Sequence, residues 1–180
     1  MTDVSVRRLG RVEGAAALDP LAAVLYDCVE SGASVSFMHP FPVGDARAYF
    51  ESVLDEVDAG SRVLLAAYDG DELVGTVQVV HAWPPNQPHR ADITKLLVQG
   101  RARGRGVGQR LMEAAEDAAL RDGKTLLVLD TVTGSSADRL YRRLGWTEVG
   151  EIPDFALYPD GTPCPTTVFY KRLGSATVGA

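Results

Sequence analysis

The stretch Gln99-Gly100-Arg101-Ala102-Arg103-Gly104-Arg105-Gly106-Val107-Gly108-Gln109-Arg110 concentrates the chain's most suggestive chemistry. Glycines there let backbone N–H groups turn toward one point, and a helix starting behind them adds positive potential, a combination suited to phosphate. A nucleotide P-loop is excluded, because no lysine followed by Ser or Thr closes the pattern. A dinucleotide fingerprint fails as well, since Gly104-Arg105-Gly106 continues as Val107-Gly108-Gln109 rather than x-x-Gly. A third pattern, Gln/Arg-x-x-Gly-x-Gly/Ala, is satisfied in full by Arg103-Gly104-Arg105-Gly106-Val107-Gly108. The register beginning at Arg101 also satisfies it, but the later one sets Gly108 against an apolar helix start and is preferred. Two carboxylates add to the picture. Asp130 ends an apolar run where a parallel strand would place a site residue, although a turn-initiating role before Gly134 is the plainer alternative. Asp92 stands before another such run.

These residues need a frame to hold them. Residues 4–9 alternate as a strand, and Asp19-Pro20 opens a helix whose apolar face is Leu21, Val24, Leu25 and Cys28. The proline-bearing residues 33–43 read as a loop, and a second helix runs from about Asp45 to Gly60 with Ala48, Tyr49, Ser52, Val53 and Val57 inward. Asp69-Gly70-Asp71 joins strands 61–68 and 72–80 as a hairpin. Strand 91–99, helix 106–121 and strand 124–131 form a strand–helix–strand unit, which demands a parallel pair. The helix shows Val107, Leu111, Ala115 and Ala118 at helical spacing. A short helix, 136–144, and strands 146–152 and 166–171 follow. The expected fold is therefore a single α/β domain over residues 1–173, with a mixed, mostly antiparallel sheet, one central parallel β-α-β pair and about four flanking helices. Residues 174–180 read as a frayed tail.

Composition narrows the function. With 18 Lys+Arg against 24 Asp+Glu the net charge is −6, which disfavours nucleic acid, as does the lack of aromatic residues near the arginines. Cys28 and Cys164 form no paired motif, and His39, His81 and His89 form no cluster, so no metal site is expected. No apolar run approaches the ~18 residues of a membrane span. Met1-Thr2-Asp3-Val4 lacks a signal-peptide start. A cytoplasmic protein, monomer or homodimer, is expected.

The loop, the Leu111-Met112-Glu113 helix and the segment Ala137-Asp138-Arg139-Leu140-Tyr141-Arg142-Arg143-Leu144-Gly145-Trp146 together resemble the GNAT superfamily of N-acetyltransferases. Gly32-Ala33-Ser34-Val35-Ser36-Phe37-Met38, Arg90-Ala91-Asp92-x-x-Lys95-Leu96, Leu129-Asp130-Thr131 and Asp160-Gly161 look like the tabtoxin-resistance type within it, which acetylates an amine of a β-lactam phytotoxin. The resemblance implies acetyl-CoA as cosubstrate, its pyrophosphate on Arg103, Gly104, Arg105, Gly106, Val107 and Gly108. Leu97 and Val98 would pair with the pantetheine arm on a bulged strand, whose backbone N–H polarises the carbonyl. Thr131, Ser135, Ala137, Tyr141 and Arg143 complete the expected cofactor contacts. Gly134 departs from the asparagine common at its position, and Ser135 or Ser136 would substitute.

Acyl transfer to an amine needs a deprotonated amine, a polarised carbonyl and a stabilised thiolate. By the resemblance Tyr141 protonates the leaving thiolate, although a core aromatic is its plainer role. Asp130 helps to position or deprotonate the amine. Asp92 is implied as general base where the relatives carry glutamate; aspartate reaches one methylene less far, and an ordinary carboxylate, with a pKa of ~4, is a weak base. Trp83 and Trp146 are expected to pack, with Trp83 at the border of the acceptor pocket. The implied activity is direct acetyl transfer to a primary amine of a small molecule, in a pocket capped by residues 33–43 and 83–89. Acetylation of protein lysines or N-termini, and non-catalytic acyl-CoA sensing, are the alternatives. Toxin or antibiotic resistance is the implied role.

Overall fold

A computed structural model of the chain describes residues 4–174, so residues 175–180 of the expected tail lie outside the described part. The facing of strand β2 (Arg62–Asp69) dictates the layering. Val63, Leu65 and Ala67 are buried on one side, Leu64 and Ala66 on the other. A strand apolar on both faces must be covered twice. Helices α4 (Val107–Arg121) and α5 (Ser136–Arg143) cover the first face; α2 (Leu18–Glu30) and α3 (Val43–Asp58) cover the second, with the short α1 (Arg11–Ala16) beside them.

The other strands are β1 (Val4–Leu9), β3 (Glu72–His81), β4 (Arg90–Val98), β5 (Leu126–Val132), β6 (Thr147–Leu157) and β7 (Pro163–Arg172). They form one sheet in the order β1-β2-β3-β4-β5-β7-β6, antiparallel except for β4 and β5. The expected single mixed α/β domain is the observed one. The fifth helix, α1, was not foreseen because its sequence, Arg11 to Ala16, buries only Gly14 and shows no apolar stripe. In α3 the inward residues are Ala46, Phe50, Val53 and Leu54, while Ala48 and Ser52 face solvent. The i, i+4, i+8 series Ala46, Phe50, Leu54 carries larger apolar area than the series centred on Ala48, and that area decides the rotation. The face of α4 is as expected, with Val107, Leu111, Ala115 and Ala118 all buried.

Two irregularities in β4 create space. Its register with β3 shifts between Thr76 and Gln78: Thr76 opposes Leu97 and Gln78 opposes Thr94, so Lys95 and Leu96 face the single Val77. This bulge, with Lys95 at φ +51, inverts the alternation. Ile93 packs toward α4, yet Leu97, four residues on, packs toward α2 while Leu96 and Val98 take the α4 side. Gly75 allows this close packing, because a Cβ there would lie 2.9 Å from the Leu97 carbonyl oxygen and 3.1 Å from Leu111 Cδ1. Beyond the bulge comes a parting. β4 pairs with β5 only from Arg90 to Asp92, whereas β5 continues beside β7 as far as Val132. The two central strands therefore diverge at Ile93, and a cleft opens between them.

Candidate active site

The cleft is a cavity of about 950 Å³. One wall is the diverging β4, Ile93 to Val98, and the other is Asp130 to Ser136 at the end of β5; the floor toward solvent is the glycine loop and the start of α4. Gly104 and Gly106 have φ of +74 and +81, which turns the loop tightly around the head of α4. No side chain caps α4, so the N–H groups of Val107, Gly108 and Gln109, all on the cavity wall, are available to an anion. A Cβ on Gly104 or Gly106 would meet nothing within 4 Å, so the loop is bounded there by open cleft.

The arginines divide. Arg103 lines the cleft, but its Nε donates to the Val98 carbonyl oxygen at 3.0 Å. Arg105, expected on the ligand, is turned away to Asp69 at 2.8 Å, and Arg101 to Glu72 at 2.6 Å. Acidic side chains on the neighbouring hairpin draw them off. Arg139 and Arg143, one turn apart on α5, line the cleft beside Arg103, and Lys95 lines it at the bulge of β4. Arg143 was expected; Arg139 was missed, although its i, i+4 spacing from Arg143 was available as a signal.

Helix α5 is set by a reciprocal cap. Ser135 Oγ accepts from the Asp138 N–H at 3.1 Å, while Asp138 Oδ2 accepts from the Gly134 N–H at 2.7 Å. Burial pushes the Asp138 carboxyl up, but the Gly134 N–H and Arg142 outweigh it and hold the group below the ordinary range. Ser135 is thus committed to capping, and Gly134, at φ +71, makes the turn that presents Thr131, Ser135 and Ala137 to the cleft. At the far end Trp146 Nε1 and Lys171 Nζ both donate to Glu116.

This clamp fixes Tyr141. Its ring is 5% exposed, packed 6.0 Å from the Trp146 and Phe169 centroids, and it reaches the cleft wall. Trp146 therefore packs as expected. Burial first, and the Asp130 charge second, raise the Tyr141 hydroxyl well above the ordinary tyrosine range, so the proton stays on the oxygen across all working pH. Leu97 contributes to the cleft only through its backbone, since its side chain is 2% exposed within the α2 core.

A second cavity, about 720 Å³, opens on the opposite face of the sheet. Phe37, Tyr49 and Phe155 wall it, and Asp92, Asp130, Lys95 and Arg62 line it. It meets the first at Ser36, Ile93, Thr94, Lys95 and Asp130, where β4 and β5 part. Asp130 thus borders both spaces, its Oδ2 accepting from Thr166 Oγ1 at 2.9 Å. Asp92 borders only the second cavity and is paired with Arg90 at 2.5 Å. The structure therefore separates Asp92 from Tyr141 and brings Asp130 between them. Trp83 is 89% exposed and lines neither cavity, nor does any residue of 83–89. The expected cap from that loop is replaced by Phe155 of β6, which the sequence reading ended too early to include. Residues 33–43 do contribute to the wall, through Ser36 and Phe37; Lys95 entered only as part of the resemblance, with no role, and Arg62 and Tyr49 were not expected at a site.

Both cysteines line the cleft, and both thiols are engaged in hydrogen bonds. Cys28 is buried, its thiol pushed up chiefly by that burial, and its Sγ donates to the Val98 carbonyl oxygen. Cys164 donates to Ser34 Oγ.

Comparison with known proteins agrees with this geometry. The model of the acetyltransferase (GNAT) family matches residues 29–146. An L-methionine sulfoximine/L-methionine sulfone acetyltransferase of Pseudomonas paraeruginosa is 26% identical over 145 residues, 79% of this chain and 82% of the relative. Among solved structures, an N-acetyltransferase from Staphylococcus aureus Mu50 superposes with a TM-score of 0.78 at 16% identity, covering 96% of this chain and 99% of its own. The Salmonella typhimurium protein yncA, solved with its cofactor acetyl-CoA, gives 0.77 at 17% identity over 99% of this chain and 98% of its own.

Proposed function

The chain belongs to the GNAT acetyltransferase family, an enzyme family whose cosubstrate is acetyl-CoA, and on that premise we propose direct N-acetylation of a small-molecule amine across the parting of β4 and β5. The observation that carries this is the junction of the two cavities at Asp130, with the buried Tyr141 on the cleft side and an aromatic-walled space on the other. The pyrophosphate of acetyl-CoA would sit on the N–H groups of Val107, Gly108 and Gln109, with Arg139 and Arg143 beside it. The pantetheine arm would add to the open edge of β4 as a further strand, meeting backbone groups released by the divergence.

The acceptor amine arrives from the second cavity. Asp130 and Asp92 favour an ammonium there, and Asp130, the one bordering both spaces, accepts a proton as nitrogen attacks the thioester carbonyl. A backbone N–H of the bulged strand polarises that carbonyl. As the C–S bond breaks, Tyr141 donates its hydroxyl proton toward sulfur. Asp92, paired with Arg90, is held out of the base chemistry. Both thiols are held in hydrogen bonds and have no adjacent base among the described residues, which favours direct transfer with both substrates bound together. The walled second cavity favours a small acceptor over a protein chain, and the sulfoximine-acetylating relative points the same way; a resistance role in the cytoplasm is part of the same proposal.

The test is calorimetric titration with acetyl-CoA, CoA and NAD, followed by an amine panel read by free thiol. Binding of acetyl-CoA and CoA but not NAD, with amine-dependent thiol release, is expected. Thiol release only with lysine peptides or N-terminal peptides would move the assignment to protein acetylation.

A further inference from the structure

One cation at the junction is left unused by the transfer chemistry. Lys95 stands on the bulge, and its Nζ donates to Ser36 Oγ at 3.0 Å while lying 5.9 Å from the ring centroids of Phe37 and Tyr49. Among the described residues it has no carboxylate within ion-pair reach. The neighbouring Arg62 differs, being neutralised by Glu56 at 2.8 Å. Two buried polar atoms on the same sheet face also lack partners, Thr94 Oγ1, on the wall of both cavities, and Gln78 Nε2 on the strand beside it. A half-buried ammonium with no carboxylate partner and a buried unbonded hydroxyl are both better satisfied when a ligand completes them. Asp130 lines the same cavity, as does Asp92 in its ion pair with Arg90. The cavity is therefore dipolar, cationic at Lys95 and anionic at Asp130.

Building on the N-acetyltransfer reading, we propose that Lys95, with Thr94, binds the carboxylate of a compact zwitterionic acceptor whose amine is directed to Asp130. The substrate class is then amino-acid-like, amine and carboxylate on one small molecule. Burial, with Arg62 adding to it, lowers the Lys95 ammonium from its ordinary value, and Asp130 only partly opposes this. A carboxylate bound there would oppose that shift.

Free amino acids and their methyl esters, matched pair by pair, test this on the intact protein with CoA bound. Thermal shift reads acceptor binding, and thiol release from acetyl-CoA separately reads transfer, so failure of one is distinguishable from failure of the other. Some acids in the panel should stabilise the wild type where their esters do not. Lys95→Met should weaken binding of those acids roughly 10–100-fold, the range for a hydrogen bond to a charged group, raising KM more than it lowers kcat and compressing the acid-to-ester ratio. Lys95→Arg should restore part of that ratio. Equal stabilisation by acids and esters would overturn the proposal. So would a Lys95→Met protein with an unchanged ratio, or one whose kcat collapses with loss of a limb of the pH profile, which would make Lys95 a proton carrier instead.

Discussion

Gly106 heads α4 with φ +81 and ψ 0, and nothing lies within 4 Å of where its Cβ would stand. Gly106→Asp therefore adds no clash to the empty protein. Its backbone strain is at most about 1–2 kcal/mol, less for Asp or Asn than for other residues, and a carboxylate at a helix head returns about 0.3–1 kcal/mol. The net change in stability is near 1 kcal/mol, a fall of ~2–4 °C in Tm for a domain of this size. Ligand binding is affected far more. A carboxylate ~4 Å from a phosphate charge repels it by roughly 4 kcal/mol at an effective dielectric of ~20; with salt screening about half remains, or ~30-fold in Kd. Gly106→Asn carries the same backbone strain and nearly the same volume without the charge. Calorimetry with acetyl-CoA should rank wild type, then Asn several-fold weaker, then Asp a further ~30-fold weaker, with all three folded by thermal melt. Equal Kd for the Asn and Asp proteins would show that no phosphate sits at the head of α4.

Tyr141→Phe should lower kcat roughly 10²–10³-fold, as removal of a general acid does, with acetyl-CoA affinity by calorimetry unchanged. In the wild type, burial and Asp130 hold this hydroxyl protonated, so kcat should show no alkaline fall from Tyr141 up to pH ~10; a fall near pH 8 that disappears in the Phe protein would contradict the assignment. Asp138→Asn should cost about 1–2 kcal/mol at pH 7 by weakening the α5 cap. Because the folded carboxyl lies below its unfolded value, the wild type's advantage is full above pH ~5 and shrinks as pH falls through the folded pKa, which denaturant melts at pH 7 and pH 3 would show. Gly75→Ala forces a Cβ against the Leu97 carbonyl oxygen and Leu111 and should destabilise by about 1–3 kcal/mol; an unchanged melt would refute the close packing of α4 on the bulge.

Local pattern made the frame legible. The 3.6-residue spacing of Val107, Leu111, Ala115 and Ala118 and the Asp-Gly hairpin needed no tertiary information, and the resemblance placed Asp130, Tyr141 and the glycine loop at one cleft. What escaped was set by long-range packing. A bulge reverses which face a side chain takes, so strict alternation in β4 gives no sign that Thr94 and Lys95 border the same cavity, and the resemblance that included Lys95 gave it no role. Charge was misread for a similar reason. The clustered Arg101 and Arg105 look like ligand contacts until Glu72 and Asp69, roughly thirty residues back in the chain, are brought beside them. Phe155 lies past residue 152, where the expected strand ends, on a strand that in fact runs to Leu157 along the sheet edge.

The most direct test of acetyl transfer inside a two-substrate complex is rapid mixing of enzyme with acetyl-CoA alone, then with an accepted amine, while free thiol is followed. The account predicts no thiol before the amine arrives and one thiol per N-acetyl product afterwards. A thiol burst matching the enzyme concentration in the absence of amine, with acetyl found on Cys28 or Cys164, would contradict it.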